Sequence, residues 1–318
     1  MKTFAQYSEL ANTLVAQLKL PAEPRGLYAP IEYALASGGK RIRPVLVLAS
    51  ADAFCGNAQA AAPQALAIEM FHNFTLLHDD VMDKADVRRG RPTVHVKYGQ
   101  NTAILSGDAM LTLASMIAAK CPSDIRGQIM QLLDKTAMQV YEGQQYDMDF
   151  ENRSDVTVDE YLKMIRLKTS VLLGAACAMG AIVGDAPADA VNAMYAYGEN
   201  LGLAFQLRDD WLDTFGNPDT FGKEIGGDIL NEKKTWLLIK ALEADSRVAD
   251  ILASKPADAE KIAAVTAAYR ALGLDTLCME QVEAYTAAAV DALADTGLGK
   301  EPLEFFRTLA DTAITRDK

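Results

Sequence analysis

The chain has 318 residues, half of them hydrophobic, enough for a large buried core in one large domain or two smaller ones. Its net charge of -12 and isoelectric point near 4.8 exclude a basic nucleic-acid surface. They do not exclude a phosphorylated ligand, because divalent cations turn acidic side chains into a phosphate site.

Taken in chain order, residues 1–21 read as an amphipathic helix with Glu9 inside its apolar stretch, unlike a signal peptide. Gly38-Gly39-Lys40-Arg41-Ile42-Arg43-Pro44 then sets a flexible glycine pair and a run of cations just before a helix, where free N–H groups also favour an anion. The apolar run Ala65 to Leu77 leads into Asp79-Asp80-Val81-Met82-Asp83. The stretch 85–100, rich in Arg and Gly with Pro92, predicts a loop and carries Arg88-Arg89-Gly90-Arg91. Apolar residues three and four apart predict helices over 101–119, 125–149, 158–183 and 188–213. Thr157 with Glu160 predicts a capping box, and Pro44 and Pro187 suit first-turn positions. The last of these helices ends in Asp209-Asp210-Trp211-Leu212-Asp213. A second predicted loop, 214–233, holds Gly216, Pro218, Gly222, Gly226 and Gly227 together with Lys223, Lys233 and Lys234. Cys55, Cys121, Cys177 and Cys278 stand far apart without a CxxC pair, so a reducing, cytoplasmic setting is expected. No apolar run crosses a bilayer without a charge or a break, so no stable membrane insertion is expected.

The two aspartate motifs share one spacing, and each precedes a break in the helical pattern. Residues four apart sit on one face of a helix, so Asp79 and Asp83 project together, as do Asp209 and Asp213. Carboxylates so close repel unless something positive lies between them. An all-oxygen set of this kind suits Mg2+, which keeps several waters and is completed by substrate phosphates. Three basic groups flank the motifs, and Arg and Lys are the side chains that grip phosphate. Taken singly, each cluster also reads as solvated loop charge, and a lone aspartate motif as an acidic helix end. His72 lies seven residues before Asp79, nearly in line with it on the same helix face.

In order along the chain, GGKRIRP, FHNFTLLHDDVMDKADVRRGRPT, the Lys168-Thr169 pair, GLAFQLRDDWLD and FGKEIGGDILNEKKTW resemble the trans-isoprenyl diphosphate synthase family, over roughly 38 to 235. The resemblance implies an all-α isoprenoid synthase fold in a single domain spanning 1–318, with antiparallel helices around a central cavity, and a homodimer. It implies a prenyltransferase that joins isopentenyl diphosphate to an allylic diphosphate (dimethylallyl, geranyl or farnesyl). It implies Mg2+, three ions per active site, with Asp79 and Asp83 as ligands of two and Asp209 of the third, supported by Asp80, Asp210 and Asp213. Arg88, Lys168, Lys223 and Lys233 resemble the residues that hold the allylic diphosphate, with Lys234 in a neighbouring register. Lys40, Arg43, His72 and Arg89 resemble the isopentenyl diphosphate site. Thr169 and Gln206 resemble the polar residues facing the reacting carbons.

The resemblance also implies that Thr75 and Phe74, four and five residues before the first motif, help set the length of the product. The helical wheel puts Thr75 nearly under Asp79 and Phe74 to the side, and plain core packing is the competing reading of Phe74. The aromatic at Phe74 resembles the short-chain members of the family and the surroundings of the first motif resemble geranylgeranyl synthases, which implies a fifteen- or twenty-carbon product, geranylgeranyl diphosphate first. A class I terpene cyclase would need no second diphosphate site, and a non-catalytic subunit would not need both motifs intact. A plain acidic helical binding protein is the remaining alternative.

Overall fold

The computed structural model describes residues 1–217, 225–254 and 257–315. The chain is mostly helical: α1 (Phe4–Gln17), α2 (Arg25–Leu35), α3 (Ile42–Cys55), α4 (Ala62–Met82), α5 (Val94–Tyr98), α6 (Gln100–Ala118), α7 (Ser123–Glu151), α8 (Val158–Ile165), α9 (Val171–Val183) and α10 (Ala188–Phe215), with the helices expected over 101–119, 125–149, 158–183 and 188–213 all present. They are followed by α11 (Gly227–Leu230), α12 (Trp236–Ala244), α13 (Ser246–Ala253), α14 (Asp258–Ala271), α15 (Leu274–Ala292) and α16 (Lys300–Thr315). Their starts are chemically marked. Thr3 with Gln6 and Thr157 with Glu160 each form a reciprocal capping box, and Thr235 and Asp245 cap the helices that follow them.

Two expectations are corrected. The stretch 85–100 is not all loop. Val87–Arg88 pairs with Arg91–Pro92 as a tiny antiparallel ladder, and α5 follows it. Gly90, with φ 72°, makes that reversal possible. The 214–233 stretch likewise contains α11, which starts after Gly226 in the left-handed region. Helix 158–183 also carries an irregularity that periodicity does not reveal: Arg166–Ser170 is a π-helical turn. Such turns are rare and concentrate at functional sites.

The residues cluster into two compact units, one of 1–134 with 175–192, the other of 135–174 with 193–318. In the first unit every residue of α3 from Pro44 to Ala51 is buried, so the middle of this helix meets protein on all sides. Glycine permits its close packing: a β-carbon on Gly180 would lie 2.2 Å from the Val47 carbonyl oxygen. The second unit repeats the device, since a β-carbon on Gly198 would lie 2.5 Å from the Leu173 carbonyl oxygen. The stretch Val158–Val183 has the length and hydropathy of a membrane span, yet 83% of its most apolar window is buried within the protein.

Candidate active site

In the first unit the glycine-rich turn before α3 is shaped by Arg41. This residue is in the left-handed conformation (φ 54°) and only 6% exposed. Its guanidinium donates to Asn12 Oδ1 (2.9 Å), to the Leu35 carbonyl (3.0 Å) and to Glu69 Oε1. Arg41 is therefore built into the core, and its buried partner Glu69 is a residue that sequence reasoning missed. Breaking such a pair strands a charge away from water. With Arg41 anchored, the turn leaves Lys40 exposed and aims Arg43 at α4.

Arg43 Nη1 lies 3.1 Å from His72 Nε2. An arginine can only donate, so His72 accepts at Nε2 and carries its proton on Nδ1. Burial, then the cations Arg43, Arg89, Arg88 and Arg41, hold His72 well below its usual range, so it stays neutral. Burial also brings Arg43 down to about 10, with Glu69 opposing and Arg89 adding to the effect. Arg43 Nε is buried and meets no hydrogen-bond acceptor among the described residues. A buried donor left open within a cluster of arginines is what an anion site requires.

The hairpin after α4 supplies two arginines that splay apart. Arg88 Nε donates to Asp80 Oδ1 at 2.8 Å, and Asp80 is only 4% exposed. Burial raises the Asp80 pKa and Arg88 draws it back. Arg89 turns the other way, donating to the Gly38 carbonyl and to Ser37 Oγ (3.4 Å). Gly39 is needed there, because its φ is 131° and a β-carbon would sit 2.9 Å from that guanidinium. Asp80 is thus committed to Arg88. Asp79, in the last turn of α4, is half-buried, and Asp83, its C-cap, is exposed.

Phe74, the expected wall of the chain-length pocket, is 5% exposed. Its ring packs edge-to-face on Phe71 (5.5 Å) and His78 (4.8 Å). His78 fits a notch at Gly107 of α6, where a β-carbon would lie 2.1 Å from Nε2. Thr75 is half-buried and donates its hydroxyl to the His72 carbonyl at 2.8 Å.

In the second unit Asp209, Asp210 and Asp213 occupy the last two turns of α10. Asp210 is 2% exposed and accepts from Tyr161 at Oδ2 and from Gln206 Nε2 (3.0 Å) at Oδ1. Burial, helped by Asp228, lifts its pKa to about 7, while Lys233 and the two hydrogen bonds act downward. Gln206 Oε1 accepts from Thr169 Oγ1 at 3.2 Å. Thr169 and Lys168 both lie on the π turn, and Lys168 Nζ donates to Asp147 Oδ2. Asp213 Oδ2 accepts the Asp228 amide at 2.9 Å, and its carbonyl accepts the Gly226 amide at 2.7 Å.

The lysines after α10 separate. Lys233 Nζ lies 3.9 Å from Asp228 Oδ1. Burial pulls its pKa down, but Asp228, Asp210, Asp147 and Asp213 together raise it, so it is a firmly charged ammonium. Lys234 instead donates to the Glu232 carbonyl at 2.9 Å. Lys223 lies outside the described residues. Sequence reasoning missed Asp147, Asp228 and Tyr161. Asp228 carried a faint signal, following the Gly226-Gly227 pair, whereas Asp147 and Tyr161 had none beyond helical register.

Among the described residues no three His, Cys, Asp or Glu side chains converge into a ready-made metal cage. The donor set fits an ion bound by one or two carboxylates and completed by phosphate oxygens, as Mg2+ is.

A family model describing polyprenyl synthetases matches residues 24–271. The geranylgeranyl diphosphate synthase of Methanosarcina mazei is 41% identical over 238 residues, covering 74% of each chain. The (2E,6E)-farnesyl diphosphate synthase of Mycobacterium bovis is 35% identical over 286 residues, covering 87% of this chain and 80% of that one. A crystal structure of a geranylgeranyl pyrophosphate synthase superimposes with a TM-score of 0.92 at 41% identity, over the full length of both chains. The all-helical architecture, the family match and the relatives agree: the chain belongs to the polyprenyl synthetase family of trans-isoprenyl diphosphate synthases and is a prenyltransferase.

Proposed function

We propose that the protein condenses isopentenyl diphosphate with an allylic diphosphate, head to tail and in trans geometry, in a Mg2+-dependent reaction. The observation that carries this reading is the cation set around neutral His72, with the buried Nε of Arg43 left open. A terpene cyclase, which ionises one allylic diphosphate, has no use for such a second anion site. Intact carboxylate motifs in both units argue against a non-catalytic subunit.

Asp79, Asp83 and Asp209 would hold Mg2+, three ions in all, which supplies Lewis-acid stabilisation of the departing diphosphate. Arg88 and the ammonium groups of Lys168 and Lys233 add positive charge for the same leaving group. Lys40, Arg43 and Arg89 bind the isopentenyl diphosphate, and His72 orients Arg43. Thr169 and Gln206 present oxygen to the allylic carbocation while the isopentenyl double bond attacks it. The proton lost afterwards goes to the released diphosphate. Geranylgeranyl diphosphate is the product best supported, since the relative and the solved structure at 41% identity both carry that name. Farnesyl diphosphate comes next.

The test is release of inorganic diphosphate with each substrate alone and with both. Release that requires both diphosphates and Mg2+, with a prenyl diphosphate product, supports the reading. Release from the allylic diphosphate alone with a hydrocarbon product would make the protein a cyclase.

A further inference from the structure

The hairpin that carries Arg88 and Arg89 cannot hold itself in place. Its ladder has two residues on each side, Val87–Arg88 against Arg91–Pro92, and so short a pair is not stable alone in water. Its two-residue turn sets Arg89 at φ 52° before Gly90 at φ 72°. Two positive φ values suit a tight hairpin turn, but a side chain at the first of them resists that backbone. Contacts from outside the ladder therefore fix it. Arg88 and Arg89 supply some, to Asp80, to Ser37 and to the Gly38 carbonyl. Those same guanidinium groups are the ones proposed to grip the two diphosphates, and hydrogen bonds given to phosphate are lost to the hairpin.

The second strand docks without them. Tyr33, in the last turn of α2, donates its hydroxyl to the Pro92 carbonyl at 2.8 Å. The Arg91 guanidinium lies over the Tyr33 ring at 4.2 Å, and Lys97 Nζ of α5 at 3.9 Å. Tyr98 packs edge-on to the same ring at 5.6 Å. Arg91 Nη1 also donates to the Ala36 carbonyl at 3.1 Å, at the C-terminal end of α2, where a cation is favoured. Arg88 faces Arg91 in the ladder, so the backbone that aims Arg88 is registered on a strand anchored by Tyr33. We infer that Tyr33 is a positioning residue for diphosphate binding: it holds the 87–92 hairpin against α2, so that Arg88 and Arg89 stay aimed while they exchange protein partners for phosphate. The inference rests on the proposed roles of those two arginines. Tyr33 acts through them on binding and not on the chemical step.

The experiment takes the full chain with both diphosphates and Mg2+, and adds amide hydrogen exchange on the substrate-free protein. Tyr33→Leu removes the ring and the hydroxyl together. It is expected to raise both KM values about fivefold to tenfold, the worth of a hydrogen bond with a cation–π contact, and to leave kcat within about twofold. Tyr33→Phe keeps the ring and is expected to fall between Tyr33→Leu and the wild type. In an Arg89→Ala background Tyr33→Leu is expected to raise the isopentenyl diphosphate KM no further, because the group that it aims is gone. Amides of residues 87–93 are expected to exchange faster in Tyr33→Leu, while thermal unfolding shows the fold retained. Should Tyr33→Leu fail to fold, Tyr33→Phe and its cycle with Arg89→Ala make the same test. Unchanged KM values, a loss confined to kcat, unchanged exchange, or an equal rise in KM with and without Arg89 overturns the proposal. Wild-type KM values in both Arg88→Ala and Arg89→Ala overturn it by a different route, since they remove the arginine roles on which it stands.

Discussion

A β-carbon on Gly143 would lie 2.2 Å from the backbone nitrogen of Lys168. Helix α7 and the π turn therefore meet main chain to main chain at the residue whose ammonium reaches Asp147, one turn along α7. On the other side Gly202 of α10 touches the same turn, where a β-carbon would lie 2.5 Å from Ser170 Cα. Two glycines on two helices thus hold the irregular backbone that carries Lys168 and Thr169.

Gly143→Ala should consequently be destabilising despite the better helix propensity of alanine. Propensity favours Ala by about 1 kcal/mol, but overlap with rigid backbone costs about 1–3 kcal/mol and displaces the π turn. Denaturant unfolding should show a net loss of stability, and kinetics a raised KM for the allylic diphosphate. A more stable variant with wild-type kinetics would mean that the turn is not held by this contact.

Asp79→Ala and Asp209→Ala should each lower turnover about a hundredfold or more while the fold persists, since each removes a proposed metal ligand and some carboxylate repulsion. Chelation of divalent cations should abolish wild-type activity, and Mg2+ should restore it. Turnover near wild type in either variant at saturating Mg2+ would count against the assignment.

Phe74→Ala should lengthen the product by at least one isoprene unit. Its packing on Phe71 and His78 also makes it a core residue, so the change should cost about 3–5 kcal/mol in stability. Product analysis must therefore accompany a melting curve, and Phe74→Leu offers a gentler opening of the same space. An active, folded variant with unchanged product would leave Phe74 as packing alone.

His72 gives a pH dependence of stability. Its folded-state pKa lies well below the ordinary 6.5, chiefly through burial and then through the neighbouring arginines, whereas in the unfolded chain it titrates near that value. Below about pH 6.5 the unfolded chain takes up a proton that the folded one refuses, so stability falls as the pH drops. Above that pH the contribution is fully present. Unfolding free energy measured from pH 8 to pH 5.5 should decline less steeply in His72→Gln than in the wild type. Parallel curves would show that His72 is not held neutral in the fold.

The local framework of the candidate site was legible in the residues themselves. The helix ends bearing Asp79 and Asp209, the caps at Thr157 and the basic runs near 40 and 88 follow from local rules: period, capping and charge next to charge. These act within a few residues, so spacing in the sequence is spacing in space. What decided the partition of the charged residues was tertiary. Nothing local separates Arg41 from Arg43, or Asp80 from Asp79, or Lys233 from Lys234. Burial against Glu69, Arg88 and the Asp228 region does so, because a charge taken from water must find its counter-charge wherever the fold brings one. The π turn and its two glycine neighbours belong to the same class. Period alone reads 158–183 as one regular helix, and only the close approach of other backbones makes an extra residue in that turn affordable.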